Sequence, residues 1–149
     1  TAMPASSAKQ VFFRGDTKFF GGPVSSRIAP RIQVIPVDME TKLYSALQLS
    51  AYVLRQGRIL CVFPEGSRSR DGRIKEFKKG VGIIAKELDV PLVPVAITGT
   101  YEMMRPGRLF PRPAKVTVTF GKPVHPGGLT YEEISKRLHD AVVNQLEAR

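Results

Sequence analysis

The sequence contains no tryptophan, one cysteine and two histidines among its 149 residues. The lone cysteine, Cys61, cannot form an internal disulfide, which excludes a small scaffold held together by disulfides. Long hydrophobic runs are also missing. The most apolar stretch, around residues 90–98, holds two prolines and is far shorter than the roughly 20 residues of a membrane-spanning helix.

Acidic residues are scarce relative to basic ones. The chain has 23 Lys and Arg against 13 Asp and Glu, which gives a net charge of +10. Its length suits one domain with a real core, and 42% hydrophobic residues exclude collagen-like and disordered classes. The charge predicts an anionic partner: a nucleic acid, a phosphorylated metabolite or an anionic membrane surface. Charge alone does not choose among these.

Strand-like and helix-like segments alternate along the chain, which predicts a single α/β domain over residues 1–149. We expect a mixed, largely parallel sheet flanked by helices, with a short helix after Asp16. Predicted strands cover Gln10–Arg14, Ile32–Val37, Arg58–Phe63, Leu92–Thr98 and Lys115–Phe120, the last with Val116, Val118 and Phe120 on one side. Predicted helices cover Thr41–Gln56, ending at Gly57, and Lys79–Leu88, and a last helix begins at Thr130 with Glu133 in a capping box.

A polar loop from Pro64 to Lys75 follows the strand that looks most deeply buried. Ligands of α/β sheets gather beyond the carboxyl ends of strands. In this loop Gly66 permits a close backbone approach, and two serines alternate with arginines suited to phosphate. The alternative interpretation is a solvated basic turn. The residues that would bind an anion here are Ser67, Arg68, Ser69, Arg70, Arg73, Lys75, Lys78 and Lys79.

The block Phe63-Pro64-Glu65-Gly66-Ser67-Arg68-Ser69 resembles the Phe-Pro-Glu-Gly-Thr-Arg-Ser block of the glycerolipid acyltransferases. That family includes lysophosphatidic acid acyltransferase, and its domain also occurs fused to acyl-CoA or acyl-ACP synthetases. Three further segments fit the family's other blocks in order: Ile32–Asp38, Phe77–Gly80 and Val90–Ala96. The resemblance implies a glycerol-3-phosphate acyltransferase-like fold and membership of this family.

By this resemblance, the reaction moves a fatty acyl group from acyl-CoA or acyl-ACP to the hydroxyl of a lysophospholipid or glycerol phosphate. No bound cofactor is implied. Arg68 is expected to bind the acceptor's phosphate, with Lys78 as a weaker candidate for phosphate or coenzyme. Glu65 is expected to position the acceptor or the loop, Gly66 and Ser67 to shape the loop, and Pro94 to line the site. The protein is expected in the cytoplasm, peripheral at the inner face of an anionic membrane, with a fused or neighbouring acyl-activating domain as a further possible partner.

The family's general base, the histidine of a His-x4-Asp motif, has no match here. The fifth residue after His125 is Thr130, and the fifth after His139 is Asn144. We therefore expect the base outside this chain, a truncation at the N-terminus, and no catalytic residue within the chain beyond Glu65 in support. The chain alone is predicted to be inactive. A second departure is Met39, which follows Asp38 where many members have arginine.

Other functions remain as alternatives. A non-catalytic module that binds anionic lipid would keep the same fold and loop, and a nucleic-acid binder is supported by charge alone. The basic stretch Arg105–Lys122 predicts a solvated loop or, alternatively, contact with anionic headgroups. Cys61 reads as a small core residue rather than a nucleophile. His139 and Asp140 are successive residues of a helix, so we expect them not to face each other.

Overall fold

The computed structural model describes residues 11–15, 34–36 and 43–148. The chain divides into two compact units, Thr1–Phe63 and Pro64–Arg149. The predicted helix after Asp16 and the positions Asp38 and Met39 lie outside the described residues. The described elements, in chain order, are β1 (Val11–Gly15), β2 (Val34–Pro36), α1 (Leu43–Arg55), β3 (Ile59–Cys61), α2 (Gly80–Glu87), β4 (Val95–Thr98), α3 (Thr100–Met103), β5 (Thr117–Phe120) and α4 (Tyr131–Glu147).

The described strands of the first unit form a parallel sheet in the order β2-β1-β3. Phe13 pairs with Val34 on one side of β1, and Val11 pairs with Ile59 on the other. Parallel strands need a crossover connection, and α1 supplies the one between β2 and β3. The predicted strand Arg58–Phe63 is shorter than expected, because its pairing with β1 ends at Cys61.

Helix α1 ends where its sequence predicts. Gly57 adopts a left-handed φ of +69°, and its N–H donates to the Leu54 carbonyl at 3.0 Å. The next N–H, of Arg58, donates to the Val53 carbonyl at 3.3 Å. These two bonds satisfy carbonyls that the helix end would leave unpaired. Ala46, Ser50 and Val53 form the buried side of α1.

The second unit has its core between α2, β4 and α4. The side chains of Val81, Ile84 and Ala85 on α2, Ala96 on β4, and Ile134, Leu138 and Val142 on α4 are all buried. Close contact of the two helices depends on Gly82, because a Cβ there would collide with the Tyr131 carbonyl oxygen. The capping box predicted at the start of α4 is confirmed: the Glu133 N–H donates to Thr130 Oγ1, and the Thr130 N–H donates to Glu133 Oε2.

Strands β4 and β5 are antiparallel, with Ile97 opposite Val118 and Val95 opposite Phe120. The predicted strand Leu92–Thr98 is interrupted, since Leu92 forms only an isolated bridge with Val124 and the regular strand begins at Val95. Pro94 explains the interruption because proline has no N–H to donate to a strand ladder. Strand β5 is likewise shorter than the predicted Lys115–Phe120, and α3 has no counterpart in the prediction.

The alternation of strands and helices confirms the predicted α/β class. The described strands form a three-stranded parallel sheet and a two-stranded antiparallel pair, which is the largely parallel mixture of strand directions that was expected. As predicted, Val118 and Phe120 share a face of β5, and both are exposed; Val116, which the prediction placed on the same face, is also exposed but lies just before the strand. A single domain over residues 1–149, truncated at its N-terminus, stays a prediction.

Candidate active site

The loop of residues 64–79 is closed by two hydrogen bonds. The Lys78 N–H donates to the Pro64 carbonyl at 2.9 Å, which ties the end of the loop to its start. Inside this closure, the Lys75 N–H donates to Glu65 Oε2, also at 2.9 Å, and this bond is partly buried. The Glu65 carboxylate therefore links the start of the loop to Lys75 near its end.

Gly66 lies against the side chain of Lys78. Its φ is +71°, a left-handed conformation that glycine adopts without a steric penalty. A Cβ at Gly66 would lie 2.8 Å from Lys78 Cε and 3.2 Å from Lys78 Nζ. The absence of a side chain at Gly66 thus lets the Lys78 ammonium approach the loop backbone, just before α2 begins. No side chain caps the N-terminus of α2, so its positive end adds to the local potential.

Lys75 braces the middle of the loop. Its Nζ donates to Ser67 Oγ at 3.0 Å and to the Arg68 carbonyl at 3.3 Å. The Ser67 hydroxyl therefore accepts from an ammonium and keeps its own proton for another acceptor. Sequence reasoning placed Lys75 among the lysines near the helix and missed this brace, because the contact depends on the path of the loop rather than on any periodic spacing.

The Ser69 side chain forms a hydrogen bond within the loop. Its hydroxyl donates to Asp71 Oδ1 at 3.0 Å, and the Arg73 N–H donates to the same oxygen at 3.0 Å. The Arg73 N–H, and after it the Ser69 hydroxyl, hold the pKa of the exposed Asp71 carboxyl below its ordinary value. The expected anion contact of Ser69 is thus replaced in this structure by a turn within the loop.

Arg68 has a fixed backbone and an exposed side chain. Its carbonyl accepts from Lys75, while its guanidinium makes no hydrogen bond or ion pair with any residue in the described part of the chain. Residues 65–79 hold six basic and three acidic side chains, a net charge of +3. An exposed guanidinium on a braced, positively charged loop can bind a phosphate group through two parallel hydrogen bonds.

Tyr101 of α3 joins the site although sequence reasoning did not identify it. Its hydroxyl donates to the Arg70 carbonyl at 3.1 Å. Gly72, with a φ of +82°, lies so close to the Tyr101 ring that a Cβ would meet the Cδ1 atom at 3.1 Å. A contact between residues 31 positions apart has no signal in a single sequence. Tyr101 therefore fixes the far side of the loop.

Pro94 lies directly before β4. It is fully buried, and its carbonyl accepts from the Gly121 N–H at 2.8 Å. A part for Pro94 in lining the site stays a prediction. Cys61 is half-buried, and burial raises the pKa of its thiol, which agrees with a core residue and not with a thiolate nucleophile.

The two histidines differ in their surroundings. His125 is exposed. His139 packs edge-on against Phe77, with ring centroids 5.1 Å apart, and its Nδ1 lies 3.4 Å from Asp140 Oδ1. The expectation that His139 and Asp140 do not face each other is therefore wrong. Both side chains lie at the helix surface, where the short aspartate can turn toward the neighbouring ring.

No helix in the described ranges is long and apolar enough to cross a membrane. Nor do three or more side chains of His, Cys, Asp or Glu converge there in the manner of metal ligands.

Comparison with known proteins gives consistent results. The family model Acyltransferase matches residues 1–98. A 1-acyl-sn-glycerol-3-phosphate acyltransferase of Limnanthes douglasii is 40% identical over 124 residues, which cover 81% of this chain and 44% of that protein. A probable 1-acyl-sn-glycerol-3-phosphate acyltransferase of Mycoplasma pneumoniae is 34% identical over 109 residues, covering 67% of this chain and 41% of that protein.

A solved structure is also similar. The crystal structure of the 1-acyl-sn-glycerophosphate acyltransferase PlsC from Thermotoga maritima matches with a TM-score of 0.76 and 31% sequence identity. The match covers 94% of this chain and 58% of that chain. This chain thus spans less than half the length of the two curated relatives and little more than half of the solved one.

Proposed function

The chain belongs to the acyltransferase family, as the Phe63–Ser69 motif predicts, and from this membership we propose that it forms part of an enzyme that acylates 1-acyl-sn-glycerol 3-phosphate. The acyl donor is a thioester of coenzyme A or acyl carrier protein. An ester C–O bond forms, the thioester C–S bond breaks, the acceptor's hydroxyl proton passes to a general base, and the carrier thiol leaves. The observation that supports this proposal best is the exposed Arg68 guanidinium on its braced, basic loop.

The loop residues of the motif, together with Lys78, have proposed parts in substrate binding. Arg68 binds the phosphate of the acceptor, and Lys78, seated over Gly66, supplies a second cation for phosphate or coenzyme. Glu65 positions the loop through its bond to the Lys75 N–H, and Ser67 shapes it through the Lys75 ammonium. A substrate-binding role for Pro94 rests on the family resemblance alone.

The general base is proposed to be the histidine of a His-x4-Asp pair outside these 149 residues. Neither His125 nor His139 has an aspartate at the fifth position after it. The base must lie within hydrogen-bond reach of the acceptor hydroxyl, and its aspartate holds the imidazole in the productive orientation. The reaction needs no bound cofactor, because the thioester already carries an activated acyl group.

The site of action is proposed to be the cytoplasmic face of a membrane, where the lipid acceptor resides. The protein would be peripheral there, attracted to anionic headgroups by its net charge of +10. A fused or neighbouring acyl-activating domain is a further proposed partner, since it would supply the thioester donor.

A second candidate function is a non-catalytic module that binds anionic lipid. The specific observation in its favour is the lack of a His-x4-Asp motif in the 149 residues. Nucleic-acid binding is the most remote alternative, supported by charge alone. Salt-sensitive DNA binding at nanomolar affinity would be the observation in its favour.

Acyl transfer by a longer natural protein that contains this chain tests the proposal. We expect transfer of a radiolabelled acyl group from acyl-CoA or acyl-ACP to lysophosphatidate, abolished when the histidine of an upstream His-x4-Asp motif is replaced by alanine. Binding to lipid vesicles without turnover of either donor would support the non-catalytic module instead. A longer protein with no upstream His-x4-Asp motif would contradict the proposed base.

A further inference from the structure

Two large apolar side chains stand out from the second unit. Leu109 is 86% exposed and Phe110 is 80% exposed, the highest values among the large hydrophobic residues that the structure describes. They lie in the segment Met103–Arg112, called here the 103–112 loop. Apolar side chains that are adjacent and almost fully in water mark a surface that another apolar phase can cover.

The 103–112 loop is held in shape by its backbone. The Arg112 N–H donates to the Met103 carbonyl at 2.8 Å, which joins the two ends of the loop. Within it, the Arg108 N–H donates to the Arg105 carbonyl at 3.2 Å, and Gly107 has a φ of +88°. Residues 105–108 therefore have the signature of a type II turn, with Pro106 at the second position and a left-handed Gly107 at the third. The apolar tip is therefore presented by a closed loop.

Basic residues flank this tip in the sequence. Between residues 105 and 122 the sequence contains no acidic side chain. The basic side chains in that stretch are Arg105, Arg108, Arg112, Lys115 and Lys122. A protruding apolar pair flanked by cations of this kind matches the boundary of an anionic bilayer, where headgroups attract the cations and the acyl region accepts the apolar groups.

Tyr101 connects the 103–112 loop to the candidate active site. The Arg105 guanidinium lies over the Tyr101 ring, 5.3 Å from its centroid, while the Tyr101 hydroxyl donates to the Arg70 carbonyl. One aromatic side chain thus touches both the start of the 103–112 loop and the loop that carries Arg68. A surface that anchors the first would bring the second close to the same surface.

We propose that the 103–112 loop docks on an anionic bilayer, with Leu109 and Phe110 inserted at the boundary of headgroups and acyl chains. Arg105, Arg108 and Arg112 bind the headgroup phosphates. Docking of the loop does not depend on the proposed acyl transfer. Its consequence, that the Arg68 loop meets its lipid acceptor at the bilayer surface, does rest on that function.

The lack of tryptophan makes Phe110→Trp a specific fluorescent probe of this docking. With the 149-residue chain and vesicles of phosphatidylglycerol and phosphatidylcholine, we expect a blue shift of the tryptophan emission and quenching by brominated acyl chains. Vesicles of phosphatidylcholine alone should give a much smaller shift. An emission spectrum that the mixed vesicles leave unchanged would overturn the proposal. So would an equal shift on both kinds of vesicle, or a blue shift that needs only higher protein concentration, since that would indicate a second copy of the chain.

Vesicle flotation of two double variants gives an independent measure of the apolar contribution. Leu109→Ser with Phe110→Ser should lower partitioning into the mixed vesicles by about ten-fold or more. The matched control is Tyr44→Ser with Tyr52→Ser, which removes two side chains of α1 that are 73% and 65% exposed. Equal partitioning of the two double variants would overturn the proposal. Circular dichroism confirms that each variant is folded before it is compared.

A second pair of variants tests the charges. One double variant carries Arg112→Gln and Lys115→Gln, which follow the apolar tip in the sequence. The other carries Lys136→Gln and Arg137→Gln on the exposed surface of α4, so both remove the same charge. We expect only the first pair to weaken binding to the mixed vesicles several-fold. Equal weakening by both would mean that net charge, and not this loop, binds the membrane. Vesicle binding without acyl transfer, in a longer protein that carries an upstream His-x4-Asp motif, would refute the proposed function and leave the docking proposal standing.

Discussion

Arg68 is the residue on which the proposed acceptor site depends most. Its carbonyl is fixed by the Lys75 ammonium at 3.3 Å, so the braced loop supports the base of the arginine side chain. Truncating the Arg68 side chain should therefore remove its charged hydrogen bond to the acceptor without collapse of the loop. We expect Arg68→Ala, in the longer catalytic protein, to weaken lysophosphatidate binding by about 2 kcal/mol, or roughly 30-fold in KM.

Two companion variants sharpen the interpretation of Arg68. Arg68→Lys should recover part of the loss, because lysine restores the charge but not the planar pair of donors. Arg137→Ala, on the exposed surface of α4, removes the same charge elsewhere and should leave KM unchanged. A KM for Arg68→Ala equal to that of Arg137→Ala would show that Arg68 does not bind the phosphate.

Gly66 permits a second test at the residue scale. An alanine there must adopt a left-handed φ of +71°, which costs about 1 kcal/mol of unfolding free energy. Its Cβ would also displace the Lys78 side chain, which lies 2.8 Å away at Cε. Because that side chain is flexible, the displacement adds little to the loss of stability. We expect Gly66→Ala to lower the affinity of the chain for sn-glycerol 3-phosphate, measured by NMR titration.

Gly128→Ala is the matched control for Gly66→Ala. Gly128 has a similar φ of +74°, and a Cβ there would meet no atom within 4 Å. Chemical denaturation should show the same loss of about 1 kcal/mol for both variants, since the backbone penalty is the same. If glycerol phosphate binding fell equally in both, the position of Lys78 over Gly66 would have no part in anion binding.

The contacts of the candidate site were only partly predictable. The motif made Glu65, Gly66, Ser67 and Arg68 candidates because they are consecutive, and a short peptide carries its own turn chemistry. Lys75 as a brace and Tyr101 as an anchor were missed, because each bond joins residues whose meeting depends on the path of the whole loop. Ser69, expected to face an anion, instead bonds to Asp71 only two residues away.

At the scale of elements, α4 shows how much a local signal can determine. Thr130 and Glu133 exchange hydrogen bonds across the first turn, with the Thr130 N–H 2.7 Å from Glu133 Oε2. The predicted strand Leu92–Thr98 lacked such a signal and was cut short at Pro94, whose missing N–H outweighs the apolar pattern. Helix ends were accurate where cap residues are adjacent in sequence. Strands β4 and β5 begin later than predicted and β3 ends earlier, because a strand extends only as far as its pairing does.

The capping box makes the stability of α4 depend on pH. The Thr130 N–H, and after it the Thr130 hydroxyl, lower the pKa of Glu133 in the folded state below its unfolded value. The ionised carboxylate therefore stabilises the fold above the unfolded pKa, and this contribution is lost as the pH falls through the folded pKa. We expect Glu133→Gln to lower the Tm at neutral pH but not below the folded pKa.

Glu132→Gln is the control for the pH dependence, because Glu132 lies in the same first turn and outside the capping box. Its effect on Tm should be smaller at neutral pH. Thr130→Ala should remove the cap itself and lower the free energy of unfolding by about 1 kcal/mol. A difference between wild type and Glu133→Gln that persisted unchanged in acid would contradict the proposed linkage.

For the whole molecule, the order and class of the elements were predictable, and the pairing of strands was not. Each strand has a local apolar pattern, but the partner of a strand lies far away in sequence. The expected mixture of parallel and antiparallel strands is present in the described residues, but which strands pair came from the structure. The net charge of +10 predicted an anionic partner, and the structure places a basic loop at residues 64–79 and a basic, apolar-tipped one at 103–112.

Binding and chemistry should be separable at the scale of the whole chain. The residues proposed to hold the acceptor's phosphate all lie within the 149 residues, while neither histidine has the spacing of the proposed base. We expect the chain alone to bind sn-glycerol 3-phosphate, and Arg68→Ala to weaken that binding. The chain alone should not transfer a radiolabelled acyl group from acyl-CoA to lysophosphatidate above the uncatalysed rate. A longer protein with an upstream His-x4-Asp motif should bind the phosphate equally well and also catalyse the transfer.

Turnover by the chain alone that depends on Arg68 would mean that a base lies within these residues. His139, whose ring contacts Phe77 beside Lys78 and whose Nδ1 meets Asp140, would then be the first position to replace.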